Sequence, residues 1–575
     1  MKNKNRNLLF LLLLCTFQIN AQSLKKALTL CNPINLNYRF QLDAPSRREA
    51  ADPVVVLFKG KYFLFASKSG GYWMSDNLVG WEFITTNDLP LEDYAPTAVV
   101  MNDAVYFMAL DRKIYKSKNP ANGHWQVVKE DFPIYTGDPY LFLDDDGRLY
   151  LYYGLSPAKP IKGIELNTKT FDPIGEEVEF MKANKEIFGW ERTGDYNTES
   201  SKPFVEGAWM TKHNGKYYLQ YSVPGTQYKS YCDGLYIGNS PLGKFSVADN
   251  NPFCYKPEGF ICGAGHSTTF QDKWGNYWHM ATMSVSVKHR FERRLGLFPA
   301  FFDKDGSFYT YTAFGDFPHS LPQKRMNGTE EYQPSGMLLS YKKPVEVSSA
   351  LTDHPKENAT GEEIRKYWSA ETGNKGEWIM IDLQNLCKVN GIQINYFDEA
   401  TTILGRTDSD YHQYLLEYST NKKDWKTIKD NRTIKEAVPH DYVELKKPVT
   451  ARYIRLTNYH VPDGKFAISG LRVFGKGSGK LPKAVQALTV LRDSTDTRNV
   501  TLTWNKTPDA VGYNIRYGTD PKKLYLNYQA LGDNSLIIHS LNKLKSYYFS
   551  IDAFNENGIT TGKKIIATRL LSDKK

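Results

Sequence analysis

Residues 138–151 read DPYLFLDDDGRLYL: an apolar run, a tight polar turn at Gly147, and a second run in which aromatic and aliphatic residues alternate. Aspartates followed by glycine are typical of a turn, because glycine adopts backbone conformations that other residues avoid. Two β-type runs joined in this way predict an antiparallel hairpin. Helical periodicity is nearly absent from the first three hundred residues, so we predict β structure throughout this region.

The same pattern occurs five times before residue 300. The spacings of 43 and 44 residues between the first three turns suit four-stranded propeller blades, and the wider spacings that follow suit blades with insertions. We therefore predict an all-β chain that begins with a five-bladed β-propeller over residues 22–325. The turns centre on residues 60, 103, 147, 215 and 275.

One residue heads each hairpin, eight or nine positions before its turn. The innermost strands of a propeller line its central channel, so these equivalent residues should converge at one end of the channel. Carboxylates gathered there are unfavourable unless they are hydrated, paired or used. Three acids and one histidine in this position therefore predict a functional site. The five head residues are Asp52, Ala95, Asp138, Glu206 and His266.

Two carboxyl groups beside a sugar ring can cleave a glycosidic bond, one as an acid and the other as a base or nucleophile. Glu206 is the expected general acid because its longer side chain reaches the leaving oxygen, and Asp52 is the expected general base. Asp138 is the expected pKa modulator, since a third carboxylate raises the pKa of the acid by like-charge repulsion.

These motifs resemble glycoside hydrolase family 43, whose members are five-bladed β-propellers that invert anomeric configuration. Residues 48–53 look like that family's general-base motif, residues 137–142 like its modulator motif, and residues 204–208 like its general-acid motif. The resemblance also implies that Arg293 supports the modulator and binds substrate. It implies that His266 contacts substrate or lies near a calcium ion in the channel; no other cofactor is required.

The resemblance implies an inverting glycoside hydrolase that removes pentofuranosyl or pentopyranosyl units from plant-type polysaccharides, as an α-L-arabinofuranosidase or a β-D-xylosidase. Two alternatives stay open: a galactofuranosidase or galactanase-type activity on the same scaffold, and a non-catalytic carbohydrate-binding propeller. Trp73 and Trp190 are candidate residues for stacking on the sugar, with Trp81 and Trp209 beside them. An insertion around residues 188–192 departs from the family pattern, and we expect it to shape the subsites.

Two further β regions follow the predicted propeller. Residues 345–475 resemble a discoidin-type (F5/8 type C) jelly-roll, a domain that often binds sugars, and whether this one does stays open. Residues 475–480 form a short Gly- and Lys-rich linker. Residues 482–570 resemble a fibronectin type III sandwich, with Trp504 turned inward and Tyr547 at a tyrosine corner.

The amino terminus has the features of a signal peptide over residues 1–21: a basic start, an apolar run over residues 8–17, and Ala21 at the expected cleavage site. We expect export across the inner membrane to the periplasm, the cell surface or the medium. Cys15 leaves lipid anchoring open as an alternative. The apolar run is too short to span a bilayer, and no later run is longer.

The composition is that of a globular protein, with 41% hydrophobic and 24% charged residues. The net charge of +10 is spread along the chain rather than clustered, which gives little support to a nucleic-acid partner. The expected partner is therefore an oligo- or polysaccharide. One disulfide among Cys232, Cys254 and Cys262 stays open, since the spacing fits no metal or redox motif.

Overall fold

The computed structural model describes residues 28–568, so the predicted signal peptide (residues 1–21) and Cys15 lie outside the described residues. Within this range the chain is all-β, as predicted, apart from four short 3-10 helices. No helix between residues 28 and 568 is long and apolar enough to cross a membrane. The 3-10 helices are Pro120–Asn122, Gly189–Glu191, Thr329–Glu331 and Lys356–Thr360.

Residues 54–310 form five four-stranded antiparallel sheets, and in each sheet the strands follow one another in chain order. Each predicted hairpin turn lies between the first and second strands of its sheet, and its central residue has a positive φ. The strands are Val54–Phe58, Lys61–Phe65, Tyr72–Ser75 and Glu82–Ile84 in the first sheet; Thr97–Met101, Ala104–Met108, Ile114–Ser117 and Gln126–Lys129 in the second; Tyr140–Leu143, Leu149–Tyr153, Lys162–Leu166 and Pro173–Glu179 in the third; Glu206–His213, Lys216–Val223, Cys232–Gly238 and Phe245–Val247 in the fourth; and Cys262–Gln271, Tyr277–Ser284, Arg293–Phe302 and Phe308–Thr310 in the fifth.

The five sheets close on themselves. The first strand of each sheet packs against the first strands of the sheets before and after it, and the fifth sheet returns to the first. Leu28–Leu30 pairs with His319–Leu321, which joins the start of this region to its end. A two-stranded ribbon of Arg39–Phe40 and Arg48–Glu49 leads into the first sheet. The heads of all five first strands are thereby brought to one place.

A second region contains one eight-stranded sheet with its own core of buried aliphatic and aromatic residues. Trp368 is fully buried in that core, where its ring packs edge-on against Phe466. The strands are Met337–Leu338, Val345–Val347, Trp368–Ser369, Trp378–Tyr396, Gln413–Ser419, Lys426–Asp430, His440–His460 and Ala467–Lys476.

The last region, which we call the C-terminal region (residues 482–568), packs a three-stranded sheet and a five-stranded sheet around one core. Trp504 is buried in this core, as predicted, and the Asn542 N–H donates to Tyr547 Oη at 3.0 Å. The strands are Leu488–Arg492, Val500–Trp504 and Ser535–Ile538 in one sheet, and Gly512–Gly518, Leu526–Leu531, Tyr547–Asn555, Gly558–Thr560 and Ile566–Thr568 in the other.

The three regions are in direct contact. Arg48 of the first region forms a buried ion pair with Asp398 of the second at 2.9 Å. Tyr309 of the first region stacks on Tyr525 of the third, with ring centroids 3.6 Å apart. All five cysteines between residues 28 and 568 are free and buried, so none of the open disulfides forms in this part of the chain.

Candidate active site

The five polar side chains predicted to be functional line one cavity of about 400 Å³. They belong to the first, third, fourth and fifth sheets, so closure of the ring brings together residues that are up to 241 positions apart. The second sheet contributes the head residue Ala95, which has no polar side chain. The polar residues of the cavity are Asp52, Asp138, Glu206, His266 and Arg293.

The backbone is strained at four of the five strand heads. A left-handed conformation costs a non-glycine residue on the order of 1–3 kcal/mol, and such strain concentrates at functional sites. Three of these four residues, Asp52, Asp138 and His266, have side chains that line the cavity. The φ angles are 51° at Asp52, 44° at Ala95, 51° at Asp138 and 41° at His266.

Glu206 lies one position ahead of this structural repeat. In the fourth sheet the left-handed conformation falls on Gly207, with φ of 61°, and the strand register shifts between Glu206 and Trp209. The sequence repeat had aligned Glu206 itself with Asp52 and Asp138. That alignment is wrong by one residue, because a bulge at the strand head is not visible in the spacing.

Asp52 is held by charges and hydrogen bonds. Ser67 Oγ donates to Asp52 Oδ2 at 2.6 Å, and the Asp52 N–H donates to Thr282 Oγ1 at 2.8 Å. Arg293 Nη1 lies 3.1 Å from Asp52 Oδ1. Burial alone would raise the pKa of Asp52, but the nearby Arg293 and His266 charges and the Ser67 hydrogen bond lower this pKa below its ordinary value. Asp52 is therefore ionised near neutral pH.

Arg293 bridges two buried carboxylates. Its Nη2 donates to Glu49 Oε1 at 2.5 Å while its Nη1 donates to Asp52. Burial raises the pKa of Glu49, and the charge of Arg293 opposes this shift. The family resemblance implied that Arg293 supports Asp138, and this expectation is wrong: the guanidinium is aimed at Asp52 and Glu49. Arg293 does line the cavity, but these two carboxylates occupy much of its donor capacity.

His266 lies between two carboxylates. The ring Nδ1 is 3.3 Å from Asp52 Oδ1 and 3.5 Å from Asp138 Oδ2. The backbone N–H of His266 donates to Ser222 Oγ at 2.7 Å. Burial lowers the pKa of His266, but the surrounding carboxylates outweigh burial and raise it overall. Burial and the charges of Glu206 and Asp52 raise the pKa of Asp138 to about 7, against the opposing effect of His266. These groups titrate together.

Glu206 has a different environment. Tyr231 Oη donates to Glu206 Oε1 at 2.5 Å. Burial of the carboxyl raises the pKa of Glu206 above its ordinary value, although His266 and the Tyr231 hydrogen bond act against this. Glu206 thus retains its proton to higher pH than an ordinary glutamate does.

The predicted stacking roles of Trp73 and Trp190 are wrong, because both rings are buried in the protein core and neither lines the cavity. Trp73 is 1% exposed and its Nε1 donates to Asn37 Oδ1 at 2.7 Å. Trp190 is fully buried, stacks on Phe188 and donates to Tyr221 Oη at 3.2 Å.

The two tryptophans named beside them are also packing residues. Trp209 stacks on Tyr140 with ring centroids 3.9 Å apart, and its Nε1 donates to Thr269 O. Trp81 packs against a core cluster of the first sheet and donates to Leu78 O.

Other aromatic residues line the cavity and were missed. Tyr94 and Phe291 face each other with ring centroids 5.8 Å apart, and Phe204 and Tyr228 contribute further apolar surface. Tyr94, Tyr228 and Phe291 lie on loops outside the hairpin repeat, where the sequence gives no periodic pattern to follow. Phe204 could have been found, since it lies two residues before Glu206.

Between residues 28 and 568, no three His, Cys, Asp or Glu side chains are grouped so that they could hold a metal ion. The donor set around His266 therefore does not make a metal site by itself. The calcium ion that the resemblance implies stays a prediction, and no chemical step below is routed through it.

The cavity combines one carboxylate whose pKa is lowered, Asp52, with two carboxyl groups whose pKa is raised, Glu206 and Asp138. Asp52 can accept a proton from water, and Glu206 can donate a proton to a leaving group. Pairs of titratable groups whose environments displace their pKa values in opposite directions are the expected arrangement for acid–base catalysis.

Comparison with known proteins agrees with this geometry. Residues 46–308 match Glycosyl hydrolases family 43, and residues 344–469 match the F5/8 type C domain. Over 140 residues, 21% of this chain and 43% of the relative, the chain is 31% identical to "Beta-xylosidase" of Xylanibacter ruminicola. Over 224 residues, 34% of this chain and 64% of the relative, it is 28% identical to "Xylosidase/arabinosidase 43A" of Humicola insolens.

The chain spans less than two thirds of the length of each of these two relatives. A solved structure described as "Glycoside hydrolase" aligns at 18% identity with a TM-score of 0.44, over 76% of this chain and 99% of that chain. The family match and the glycosidase relatives support a glycoside hydrolase. The chain thus contains a region, residues 46–308, that matches the model of glycosyl hydrolases family 43, followed by a region, residues 344–469, that matches the F5/8 type C domain.

Proposed function

We propose that this chain is an inverting glycoside hydrolase that removes α-L-arabinofuranosyl or β-D-xylosyl units from plant-type oligo- and polysaccharides. One observation carries the proposal: two carboxyl groups in one cavity have pKa values displaced in opposite directions, with Asp52 lowered and Glu206 raised. An acid and a base that act at the same pH require this difference.

Glu206 is the general acid of the proposed reaction. Its Oε1 accepts the Tyr231 hydrogen bond, which leaves Oε2 as the oxygen that carries the proton. This proton passes to the glycosidic oxygen as the bond to the anomeric carbon breaks. The leaving group therefore departs as a neutral alcohol.

Asp52 is the general base. It takes a proton from a water molecule, whose oxygen attacks the anomeric carbon on the face opposite the leaving group and inverts the configuration. Asp138 acts as the modulator. Its Oδ2 accepts a hydrogen bond from the N–H of Gly207, next to the acid, at 3.4 Å, and His266 lies close to both Asp138 and the base Asp52. Arg293 and His266 keep Asp52 ionised.

The sugar class rests on the relatives, whose names specify xylosidase and arabinosidase activities. Galactofuranosides remain the alternative substrate class on the same scaffold. The cavity of about 400 Å³, lined by Tyr94, Phe204 and Phe291, offers room and apolar surface for a terminal sugar.

The finer architecture and the location are part of this proposal. The five closed sheets are proposed to be the blades of a five-bladed β-propeller over residues 22–325, and the C-terminal region a fibronectin type III domain over residues 482–570. The F5/8 type C domain is assigned to residues 345–475. We propose that the enzyme is exported to the periplasm or cell surface and needs no cofactor, with calcium near His266 as an optional ligand.

The test is hydrolysis of a panel of aryl arabinofuranosides, xylosides and galactofuranosides, together with oligosaccharides. Glu206→Gln should lower kcat/KM on oligosaccharides by about 10²–10⁴-fold, the usual contribution of a general acid. It should lower kcat/KM less on aryl glycosides with good leaving groups, because these need little protonation. Asp52→Asn should impair both substrate types equally.

Asp145→Asn is the matched control, since Asp145 is an exposed turn carboxylate outside the cavity. The proposal is wrong if Glu206→Gln and Asp52→Asn both retain wild-type rates. NMR of the anomer first released tests the stereochemistry, and retention would contradict the role of Asp52 as a base acting through water.

A further inference from the structure

The segment between the third and fourth sheets, residues 184–201, is held in place by the C-terminal region. We call it the insert. Gly189 donates its N–H to Leu541 O at 2.9 Å. No side chain fits at residue 189, because a Cβ atom there would lie 2.5 Å from His539 O. The insert is therefore docked closely against a different region rather than free in solvent.

An ion pair and hydrogen bonds from two arginines strengthen this docking. Arg192 Nη1 lies 3.1 Å from both Asp496 Oδ2 and Asn499 Oδ1. Arg498 Nη1 donates to the carbonyl oxygen of Lys185 at 2.5 Å. Both arginines are largely buried, so these contacts are exchanged less readily for water than surface ion pairs are.

The F5/8 type C domain holds the far end of the insert through Arg365. Arg365 Nη1 pairs with Asp195 Oδ2 at 2.8 Å, while its Nη2 donates to Gln227 O at 3.0 Å and to Ser284 Oγ at 3.2 Å. Asp195 Oδ1 in turn accepts the N–H of Lys229 at 2.9 Å. One guanidinium thus ties the insert to the loop of residues 225–231.

The insert and this loop form one side of a second cavity of about 620 Å³. Gln227, Tyr228 and Arg290 line both this cavity and the candidate active site, so the two spaces are adjacent. Tyr196 of the insert also lines the second cavity and is 46% exposed. Its ring offers the cavity an apolar face, and its hydroxyl adds a polar group that can form a hydrogen bond.

The charges of the second cavity are balanced. Two acids, Asp195 and Glu199, face two cations, Lys288 and Arg290. Asp195 is already neutralised by Arg365, and Lys288 Nζ donates to the carbonyl oxygen of Asp398. A polar cavity lined by charges of both signs, in which neither sign strongly dominates, is compatible with a neutral ligand rich in hydroxyl groups.

One wall of the second cavity is formed by the loop that supports the general acid. The loop of residues 225–231 carries Gln227 and Tyr228, which line both cavities, and Tyr231, which donates to Glu206. The acid protonates the leaving group, so the leaving part of the substrate extends toward this loop.

We propose that the second cavity binds the sugar residues on the leaving-group side of the scissile bond, and that Arg365 of the F5/8 type C domain is a positioning residue that fixes its wall. This inference rests on the proposed function. It makes the substrate a neutral oligosaccharide of three or more units, and it gives both accessory regions a role in shaping the substrate site.

The experiment compares α-1,5-linked arabino-oligosaccharides and β-1,4-linked xylo-oligosaccharides of two to five units with the matching aryl pentoside. In the wild type, kcat/KM should rise with chain length beyond two units. Tyr196→Ala should lower kcat/KM on the tetrasaccharide about tenfold more than on the aryl pentoside, which corresponds to about 1.4 kcal/mol of lost binding. The loss should come mainly from KM.

Arg365→Ala should likewise lower kcat/KM more on the tetrasaccharide than on the aryl pentoside. Arg365→Lys should restore part of the lost kcat/KM, because lysine can still pair with Asp195 but cannot make all three contacts. Arg432→Ala is the matched control: this exposed arginine of the same domain pairs with Asp430 two residues away and contacts neither the insert nor the loop of residues 225–231 among the described residues. Equal losses on long and short substrates in Tyr196→Ala would overturn the inference.

Binding provides a readout that does not depend on turnover. In the Glu206→Gln background, calorimetry should detect tighter binding of the tetrasaccharide than of the disaccharide, and Tyr196→Ala should remove the difference. Equal affinities for the two lengths would overturn the inference even if aryl pentosides are hydrolysed. Absence of all glycoside hydrolysis by the wild type would instead count against the proposed function.

Discussion

The two carboxyl groups proposed to perform catalysis share one cavity but are supported in different ways. Asp52 is surrounded by charge: Arg293 and His266 lower its pKa against the effect of burial. Among residues 28–568, Glu206 has no cation in hydrogen-bond contact; the hydroxyl of Tyr231 donates to it, and burial prevails to raise its pKa. The opposite displacements of the two pKa values thus come from what each carboxyl touches rather than from how deeply it is buried.

The support of the base also extends across a domain boundary, whereas the direct support of the acid stays within its own sheet. Arg48 precedes Glu49 in the chain and pairs with Asp398 of the F5/8 type C domain. Arg294, next to Arg293, donates to His440 Nε2 of the same domain at 2.8 Å. Tyr231, by contrast, lies directly before a strand of the sheet that begins with Glu206. The residues that flank Glu49 and Arg293 in the chain are thus fixed by the F5/8 type C domain.

Asp398→Asn should have the largest effect. It leaves the buried guanidinium of Arg48 without its carboxylate partner. Removing one member of a buried ion pair costs about 3–5 kcal/mol. The free energy of unfolding, measured by urea denaturation at neutral pH, should fall by that amount. Asp43→Asn is the control, since Asp43 pairs with Arg47 but its side chain is 54% exposed, and exposed pairs contribute about 0–1 kcal/mol.

The pH dependence of this effect has a definite sign. Burial alone would raise the pKa of Asp398, but Arg48 and the His412 hydrogen bond lower it overall below the ordinary 3.8. The stability contributed by the pair is therefore present above pH 3.8 and is lost as the pH falls through the lowered folded-state pKa. Wild type and Asp398→Asn should converge in acid; a constant difference at all pH values would contradict the ion-pair explanation.

Arg293→Lys should have the next largest effect, on the pH profile rather than on stability. A single ammonium group cannot bridge Glu49 and Asp52 as the guanidinium does, so the pKa of Asp52 should rise toward its ordinary value. Because Asp52 must be ionised, the acidic limb of kcat/KM should move to higher pH, and by more than the basic limb. Arg148→Lys, an exposed arginine outside the cavity, is the control. An unmoved acidic limb would show that Arg293 does not set the pKa of the base.

Much of the fold could be predicted from local pattern. The turns at Gly60, Gly147, Gly215 and Gly275 mark hairpins because the left-handed backbone there suits glycine. The three acids could be identified because each heads a hairpin of the repeat. The bulge at Gly207 nevertheless places Glu206 one residue ahead of the position that Asp52 and Asp138 occupy in their hairpins. A bulge changes register without changing length enough to be visible in sequence.

The rest of the site depends on contacts between distant parts of the chain. Trp73 and Trp190 carry the residue type expected for sugar stacking, but strand alternation and the insert direct both rings into the core. The contact of Arg365 with Asp195 joins residues 170 positions apart, and no periodic pattern specifies it. Sequence therefore predicts which residues head the strands better than which residues surround them.

Tyr231→Phe should have the smallest effect and tests the acid side of the comparison. Its hydroxyl donates to Glu206 and lowers the pKa of that carboxyl, so removing it should raise the pKa of Glu206 further. Because Glu206 must be protonated, the basic limb of kcat/KM should move to higher pH. This shift should be smaller than the shift of the acidic limb in Arg293→Lys, because a neutral donor acts on a carboxylate more weakly than a full charge does. Tyr218→Phe is the matched control, because the Tyr218 hydroxyl donates to the carbonyl oxygen of Gly306 and does not line the cavity. A basic limb that moves to lower pH in Tyr231→Phe would mean that the phenol stabilises the protonated acid, which contradicts the role assigned to Tyr231.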